Sequence, residues 1–139
     1  MINCHYECEF RLNHEAKVAQ WITNYVVGRG KFIGQIDYVF CDDRYLHSIN
    51  LHYLKHDELT DIITFDYVDG DELSGDIFIS IERVKDNAIT FDTQFYEEVL
   101  RVMAHGILHL MGYKDKSKEE QKEMRIKENE MIELFHVEL

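Results

Sequence analysis

The stretch from Thr60 to Ile81, TDIITFDYVDGDELSGDIFISI, decides the fold. Two runs rich in Ile, Phe and Thr, 60–67 and 75–81, flank a polar segment at 68–74 that contains glycine. Apolar, β-branched runs joined in this way read as an antiparallel hairpin. Upstream, 2–10 reads as a strand. Asn13 is placed to cap a helix to about residue 27, with Ala16, Ala19, Ile22 and Val26 as its apolar stripe. Gly28 and Gly30 end that helix, and 33–41 (IGQIDYVFC) is a second strand. A helix between two strands predicts a parallel pair with a right-handed crossover. Asp42 or Asp43 then caps a helix to about Lys55, with Leu46, Ile49 and Tyr53 facing inward.

Downstream of the hairpin the pattern is helical. Ser80 can cap a short helix to about 88, and Thr93 a longer one to about 111, with Glu97 and Glu98 near its positive end. Ser117 and Glu120 make an S-x-x-E capping box that opens a last helix, whose stripe is Met124, Met131 and Phe135. Strands alternating with helices, then helices in a row, predict an α+β fold: a small mixed four-stranded sheet packed with about five helices. Phe40, Phe65 and Phe78 are expected in its core. With no proline, repeat or low-complexity run to cut at, residues 1–139 read as a single domain.

Composition bounds the function less tightly. The chain is 45% hydrophobic and 30% charged, enough apolar material for a core without disulfide support. Cys4, Cys8 and Cys41 are odd in number and fit neither a CxxC knuckle nor a disulfide framework, so they read as small core hydrophobes. No run approaches the ~18 apolar residues of a membrane span, and MINCHYECEF lacks the cationic and apolar regions of a signal peptide. The expectation is a cytoplasmic protein without membrane contact. The net charge of −12 leans against nucleic acid, because non-specific affinity comes from Lys and Arg neutralising phosphates. The basic residues of the last helix alternate with Glu119, Glu120, Glu123, Glu128 and Glu130, which reads as a solvated face.

Chemistry concentrates in His105-Gly-Ile-Leu-His109-Leu-Met-Gly112-Tyr-Lys-Asp115. Positions i and i+4 of a helix share a face, so both imidazoles can reach one metal ion. Spacing alone is weak, since eight histidines give roughly half such a pair by chance, and His52 and His56 have the same spacing. The residues just beyond His109 set the 105/109 pair apart. Gly112 can take the positive φ that turns the chain back, and Asp115 can then return as a third ligand. Three protein ligands leave a tetrahedral ion one open position, the mark of a catalytic site.

The pattern H-G-x-L-H-L-x-G-Y, met by His105, Gly106, Leu108, His109, Leu110, Gly112 and Tyr113, resembles the signature of the YbeY family of rRNA-maturation endoribonucleases. Asn50-x-x-Tyr53, Thr60-Asp61-Ile-Ile-Thr-Phe65 and Gly75-Asp76-Ile77-x-Ile79-Ser80 resemble that family's preceding segments in the same order, so the likeness spans about residues 35–115. It implies a zincin-like metal helix, one zinc ion per chain, and hydrolysis of single-stranded RNA in rRNA maturation and ribosome quality control. Its implied partners are single-stranded RNA or rRNA and the small ribosomal subunit, with no DNA expected. Thr60, Asp61 and Asp76 become candidates to hold a ligand imidazole from behind, or to make strand-end hydrogen bonds. Tyr113 is a candidate to stack on a base, or to close the helix end by packing.

Two departures stand out. The family commonly has a third histidine where this chain has Asp115, and an aspartate where it has Lys114. A carboxylate ligand makes the metal a weaker Lewis acid and raises the pKa of its water. The family also often carries a basic residue at the place of Leu54, which makes Lys55 the candidate phosphate contact here. Zinc would supply a hydroxide near neutral pH or polarise a phosphoryl oxygen. A zinc peptidase with H-E-x-x-H would need a glutamate base where this chain has Gly106. Two other readings remain: a ribosome assembly factor with a structural zinc, and a non-haem iron enzyme using two His and one carboxylate.

Overall fold

The computed structural model describes residues 1–55 and 60–137. Strand β1 (Ile2–Tyr6) is followed by α1 (Glu15–Gly28), β2 (Phe32–Cys41) and α2 (Asp43–Ile49), which runs into a π-helical turn (Asn50–Leu54). Strands β3 (Ile62–Asp66) and β4 (Glu72–Ser80) lead to three helices, α3 (Ile81–Thr90), α4 (Phe95–Leu110) and α5 (Lys118–Val137). The sheet has the order β1-β2-β4-β3, with β1 parallel to β2, β2 parallel to β4, and β3 antiparallel to β4. The expected α+β architecture, its mixed four-stranded sheet, its five helices and its hairpin are all present.

Alternation along the strands assigns the faces. Ile36, Tyr38 and Phe40 of β2 and Leu73, Ile77 and Ile79 of β4 are buried against α1, α4 and α5. Trp21, Ile22 and Val26 of α1, Met103 and Ile107 of α4, and Met124, Met131 and Phe135 of α5 complete that core. The opposite face carries a small cluster of Cys41, Leu46 and Ile63, with Ile49, Phe65 and Phe78 half-buried around it. Phe40 is thus fully buried, while Phe65 and Phe78 belong to the thinner layer. All three cysteines are free, and burial pushes the thiols of Cys4 and Cys41 up to about 12, consistent with a packing role.

Several boundaries differ from the sequence expectation, each for a local reason. β1 stops at Tyr6 because the chain leaves the sheet to lay Phe10 against Phe40 and Phe95, with ring centroids 5.1 and 5.9 Å apart. The N-cap of α1 is His14, in the left-handed region, rather than Asn13. Gln94 rather than Thr93 caps α4, and the Thr93 hydroxyl instead donates to Glu98 Oε1 at 3.4 Å. Asp42 and Ser80 cap as expected, accepting from the backbone N–H of Tyr45 and Arg83. β4 begins at Glu72, because its early residues pair with β2 from Phe32 onward, and Ile81 already belongs to α3. The helix expected to reach Lys55 changes to π geometry at Asn50, and Lys55 takes φ 57°. A wider turn moves each later side chain off the α-helical stripe. Leu46 is buried as expected, whereas Tyr53 is exposed rather than inward.

Candidate metal centre

Helix α4 has one apolar face on the sheet and a polar stripe of Glu98, Arg101, His105 and His109 at helical spacing. Gly106 allows the close approach. A Cβ there would lie 3.0 Å from two Ile77 side-chain carbons and 3.2 Å from Ile62 Cδ1. A side chain at 106 would therefore meet the sheet, so no glutamate base of the peptidase kind fits at that position.

The end of α4 delivers the third side chain. Gly112 takes φ 99°, the Gly112 N–H bonds to His109 O at 3.0 Å, and the Tyr113 N–H bonds to Leu108 O at 3.0 Å. This pair of bonds is a Schellman motif, which satisfies carbonyls left open at a helix end and reverses the chain. The reversal brings Asp115 back over the histidines. Asp115 Oδ2 lies 3.1 Å from His105 Nε2 and 3.4 Å from His109 Nε2, and the two Nε2 atoms are 3.0 Å apart.

Hydrogen bonds behind the rings fix their tautomers. His105 Nδ1 lies 2.7 Å from Glu128 Oε2, and His109 Nδ1 lies 3.1 Å from the Tyr113 carbonyl oxygen. A carboxylate and a carbonyl only accept, so both Nδ1 atoms carry the proton and both Nε2 lone pairs point inward. When both rings are neutral, two lone pairs and a carboxylate oxygen then converge within 3.4 Å of one another. Such a trio is repulsive unless a cation or a proton sits among them. Tetrahedral bonds of 2.0–2.1 Å to zinc would separate the ligand atoms by roughly 3.3 Å. His105, His109 and Asp115 could therefore hold a metal ion, and their geometry fits zinc.

Glu128 was not anticipated from sequence. It is buried on α5, and its other oxygen accepts from Arg101 Nη1 at 3.2 Å, while Arg101 also donates to Asn129 Oδ1 at 2.9 Å. The signal was available: Met124, Glu128, Met131 and Phe135 lie on one helical stripe, so a carboxylate interrupts an apolar face. Burial alone would lower the pKa of His105, but the Glu128 hydrogen bond, with the charges of Glu128, Asp115 and Asp61, raises it overall.

The remaining candidates are dispersed. Thr60 and Asp61 line the cleft of about 620 Å³ that opens over the three ligand atoms. The Asp61 carboxylate accepts from Asn87 Nδ2 at 3.2 Å, and burial pushes its pKa up against the opposing pull of His105. The Thr60 hydroxyl donates to Ile62 O at 3.4 Å. Asp76 is not among the described residues lining the cleft; its charge falls instead near the Tyr67 hydroxyl, whose pKa is raised by burial first and by Asp76 second. Lys55 lies with Arg44, His47 and His52 beside α2 and is likewise absent from the described cleft lining. Tyr113 is half-buried against the main core and serves the centre through its backbone. His56, the partner of His52 in the second i,i+4 pair, lies outside the described residues.

A protein-family model described as Endoribonuclease YbeY matches residues 3–136. Curated relatives carrying that name include one from Flavobacterium johnsoniae, 56% identical over 138 residues and covering 99% of both chains. Another, from Christiangramia forsetii, is 54% identical over 99% of this chain and 96% of the relative. The solution structure of TM1509 from Thermotoga maritima superposes with a TM-score of 0.69 at 25% identity, covering 99% of this chain and 91% of that one.

Proposed function

Because the chain belongs to the endoribonuclease YbeY family, we propose that it is a zinc-dependent enzyme that cuts single-stranded RNA during rRNA maturation and ribosome quality control. Endoribonuclease activity, the hydrolysis of RNA phosphodiester bonds, comes with the family. Zinc as the metal, rRNA of the small ribosomal subunit as substrate and the cytoplasm as location are the finer parts of this reading. In the described residues no helix is long and apolar enough to cross a membrane. The observation that carries the reading is the convergence of His105 Nε2, His109 Nε2 and Asp115 Oδ2 at the floor of an open cleft.

His105, His109 and Asp115 would hold the ion, with the cleft side left for substrate. Zinc, when bound, supplies Lewis acidity toward a phosphoryl oxygen or a water. The protein's own contribution is orientation. Glu128 holds the His105 ring, the Tyr113 carbonyl holds the His109 ring, and Arg101 holds Glu128. Such partners keep ligand rings in place before the metal arrives. Asp115 adds a negative charge, which calls for other positive charge near a phosphodiester.

Elemental analysis and RNA cleavage on the same samples test the reading. Wild type is expected to carry one equivalent of zinc, with metal and cleavage lost together in His109→Ala and Asp115→Ala. Zinc without cleavage in wild type would favour a structural zinc in an assembly factor. Iron in protein purified without added metal would favour the two-histidine, one-carboxylate iron chemistry.

A further inference from the structure

The cleft is poor in positive charge for a site that takes a polyanion. Its described lining contains the carboxylates Asp61, Asp66, Glu98, Asp115 and Glu128 against the guanidinium groups of Arg101 and Arg125. Arg101 is committed: its side chain is 15% exposed and bonds both Glu128 and Asn129. Arg125 is different. Its side chain is 53% exposed, and the nearest Glu128 oxygen is 3.7 Å away, beyond hydrogen-bond distance. Lys55, the basic residue that the sequence suggested for the phosphate, borders a separate hollow with Arg44 and His52.

Phe91 occupies the same cleft from another element. It follows α3 directly, is 59% exposed, and lines the space with Asn87 and Arg125. A single exposed ring on a protein surface needs no explanation. Arg125 faces Glu128 as an ion pair without a hydrogen bond, so its exposed N–H groups remain open to a ligand. An exposed ring at the edge of a polar cleft beside such a half-exposed guanidinium is the pairing that single-strand binding uses, with stacking for the base and positive charge for the backbone. The cleft, at about 620 Å³, has the size of a small-ligand site.

We propose that Arg125 and Phe91 form a nucleotide subsite of this cleft, in which Arg125 takes a phosphate of single-stranded RNA and Phe91 stacks on an adjoining base. The inference rests on the endoribonuclease reading above and deepens it. It places the substrate strand on the α3–α5 side of the ligand trio and gives the phosphate role to Arg125 in place of Lys55. The two residues act by different physics, so they leave different signatures. A guanidinium on a phosphate releases counterions, and each such contact on a single strand adds about 0.7 to the slope of log affinity against log salt. Stacking is insensitive to salt and tolerant of base identity.

The test is binding of a labelled single-stranded RNA oligonucleotide by initial fluorescence anisotropy, before cleavage, over a series of salt concentrations, with zinc content measured on each protein. Arg125→Ala is expected to lower the salt slope by about 0.7 and Arg125→Lys to restore it, with zinc unchanged in both. Phe91→Ala is expected to weaken binding about tenfold at every salt concentration with no change of slope, and Phe91→Trp to restore it. Lys122→Ala, which removes an exposed charge elsewhere on α5, is the charge-matched control and is expected to leave the slope within error. An unchanged slope in Arg125→Ala overturns the proposal, as does an equal drop in Lys122→Ala or a loss confined to Lys55→Ala. A wild type that binds no RNA at any salt concentration removes the endoribonuclease reading and this inference with it.

Discussion

The two faces of the sheet are covered to very different depths, and the ligand trio belongs to the deep one. On that side α1, α4 and α5 bury Trp21, Ile22, Tyr38, Phe40, Met103, Ile107, Met131 and Phe135 in one continuous core. On the other, α2 and its π-helical turn cover little more than Cys41, Leu46 and Ile63, and leave Leu51, Tyr53 and Leu54 exposed. Dense packing holds side chains in single rotamers, which a ligand trio at 3.0–3.4 Å requires. The thin face has no such task, and its backbone departs from α-helical geometry.

The largest expected effect is on folding. Trp21 is buried, stacks edge-on against Phe135 at 5.2 Å and donates its indole N–H to Met131 O at 2.6 Å. Trp21→Ala should cost about 3–5 kcal/mol in urea denaturation, because it leaves a large cavity between α1 and α5. Leu46→Ala on the thin face should fall near the low end of the leucine range, about 2 kcal/mol, since exposed neighbours can close over the gap. Equal losses in the two variants would break the comparison.

Next is Glu128, the hinge between packing and chemistry. Removing its carboxylate in Glu128→Ala leaves His105 Nδ1 and Arg101 without their acceptor. Metal affinity, followed by chelator competition, should drop by about 10–100-fold. Glu128→Gln, which keeps an acceptor oxygen, should lose less. Asp43→Ala removes a comparably networked carboxylate on the thin side, where it accepts from Ser80 and Arg83. That variant should leave metal affinity unchanged, and a matching drop would show that the trio does not depend on the deep face in particular.

These expectations also mark what could be read from sequence. The hairpin, the parallel pair, the helix carrying both histidines, the Gly112 reversal and the Ser117–Glu120 box were all legible, because each rests on local chemistry or simple periodicity. The positive φ of Gly112 and the return of Asp115 come from the same kind of rule. What escaped depended on tertiary context. The π turn that exposes Tyr53 leaves no periodic signature, and Asn13 lost the cap of α1 to the path that seats Phe10 on Phe40. Glu128 was readable only as a misfit on an apolar stripe, with no hint that Arg101 and His105 lay opposite. Position along the chain singles out Lys55, but the fold sets it beside another hollow, with Arg44 and His52.

A smaller effect probes how tightly the deep face is packed. Gly106→Ala gains about 1 kcal/mol of helix propensity but sets a methyl 3.0–3.2 Å from Ile77 and Ile62. Overpacking of this kind costs about 1–3 kcal/mol, so a net loss of about 1 kcal/mol is expected, and Ile77→Val, which removes Cδ1 but keeps the equally close Cγ2, should relieve part of it. A Gly106→Ala protein more stable than wild type would mean that the α4–β4 contact yields easily.

The smallest expected effect concerns the price of burying charge on the deep face. Glu98 is buried on α4, and burial pushes its pKa above the ordinary glutamate value of 4.5 despite the opposing charges of Arg101 and Arg125 and the Thr93 hydrogen bond. Below pH 4.5 both folded and unfolded chains carry the proton, and the group neither stabilises nor destabilises. As pH rises past that value the unfolded chain ionises first, so stability falls until the folded carboxyl ionises too, and the deficit then persists to neutrality. Glu98→Gln removes the deficit. It should melt above wild type at pH 7 and converge with it near pH 4 in thermal unfolding. A glutamine variant that melts lower at pH 7 would instead mean that Arg101 and Arg125 stabilise the carboxylate more than burial opposes it, and that the deep face accommodates this charge without loss.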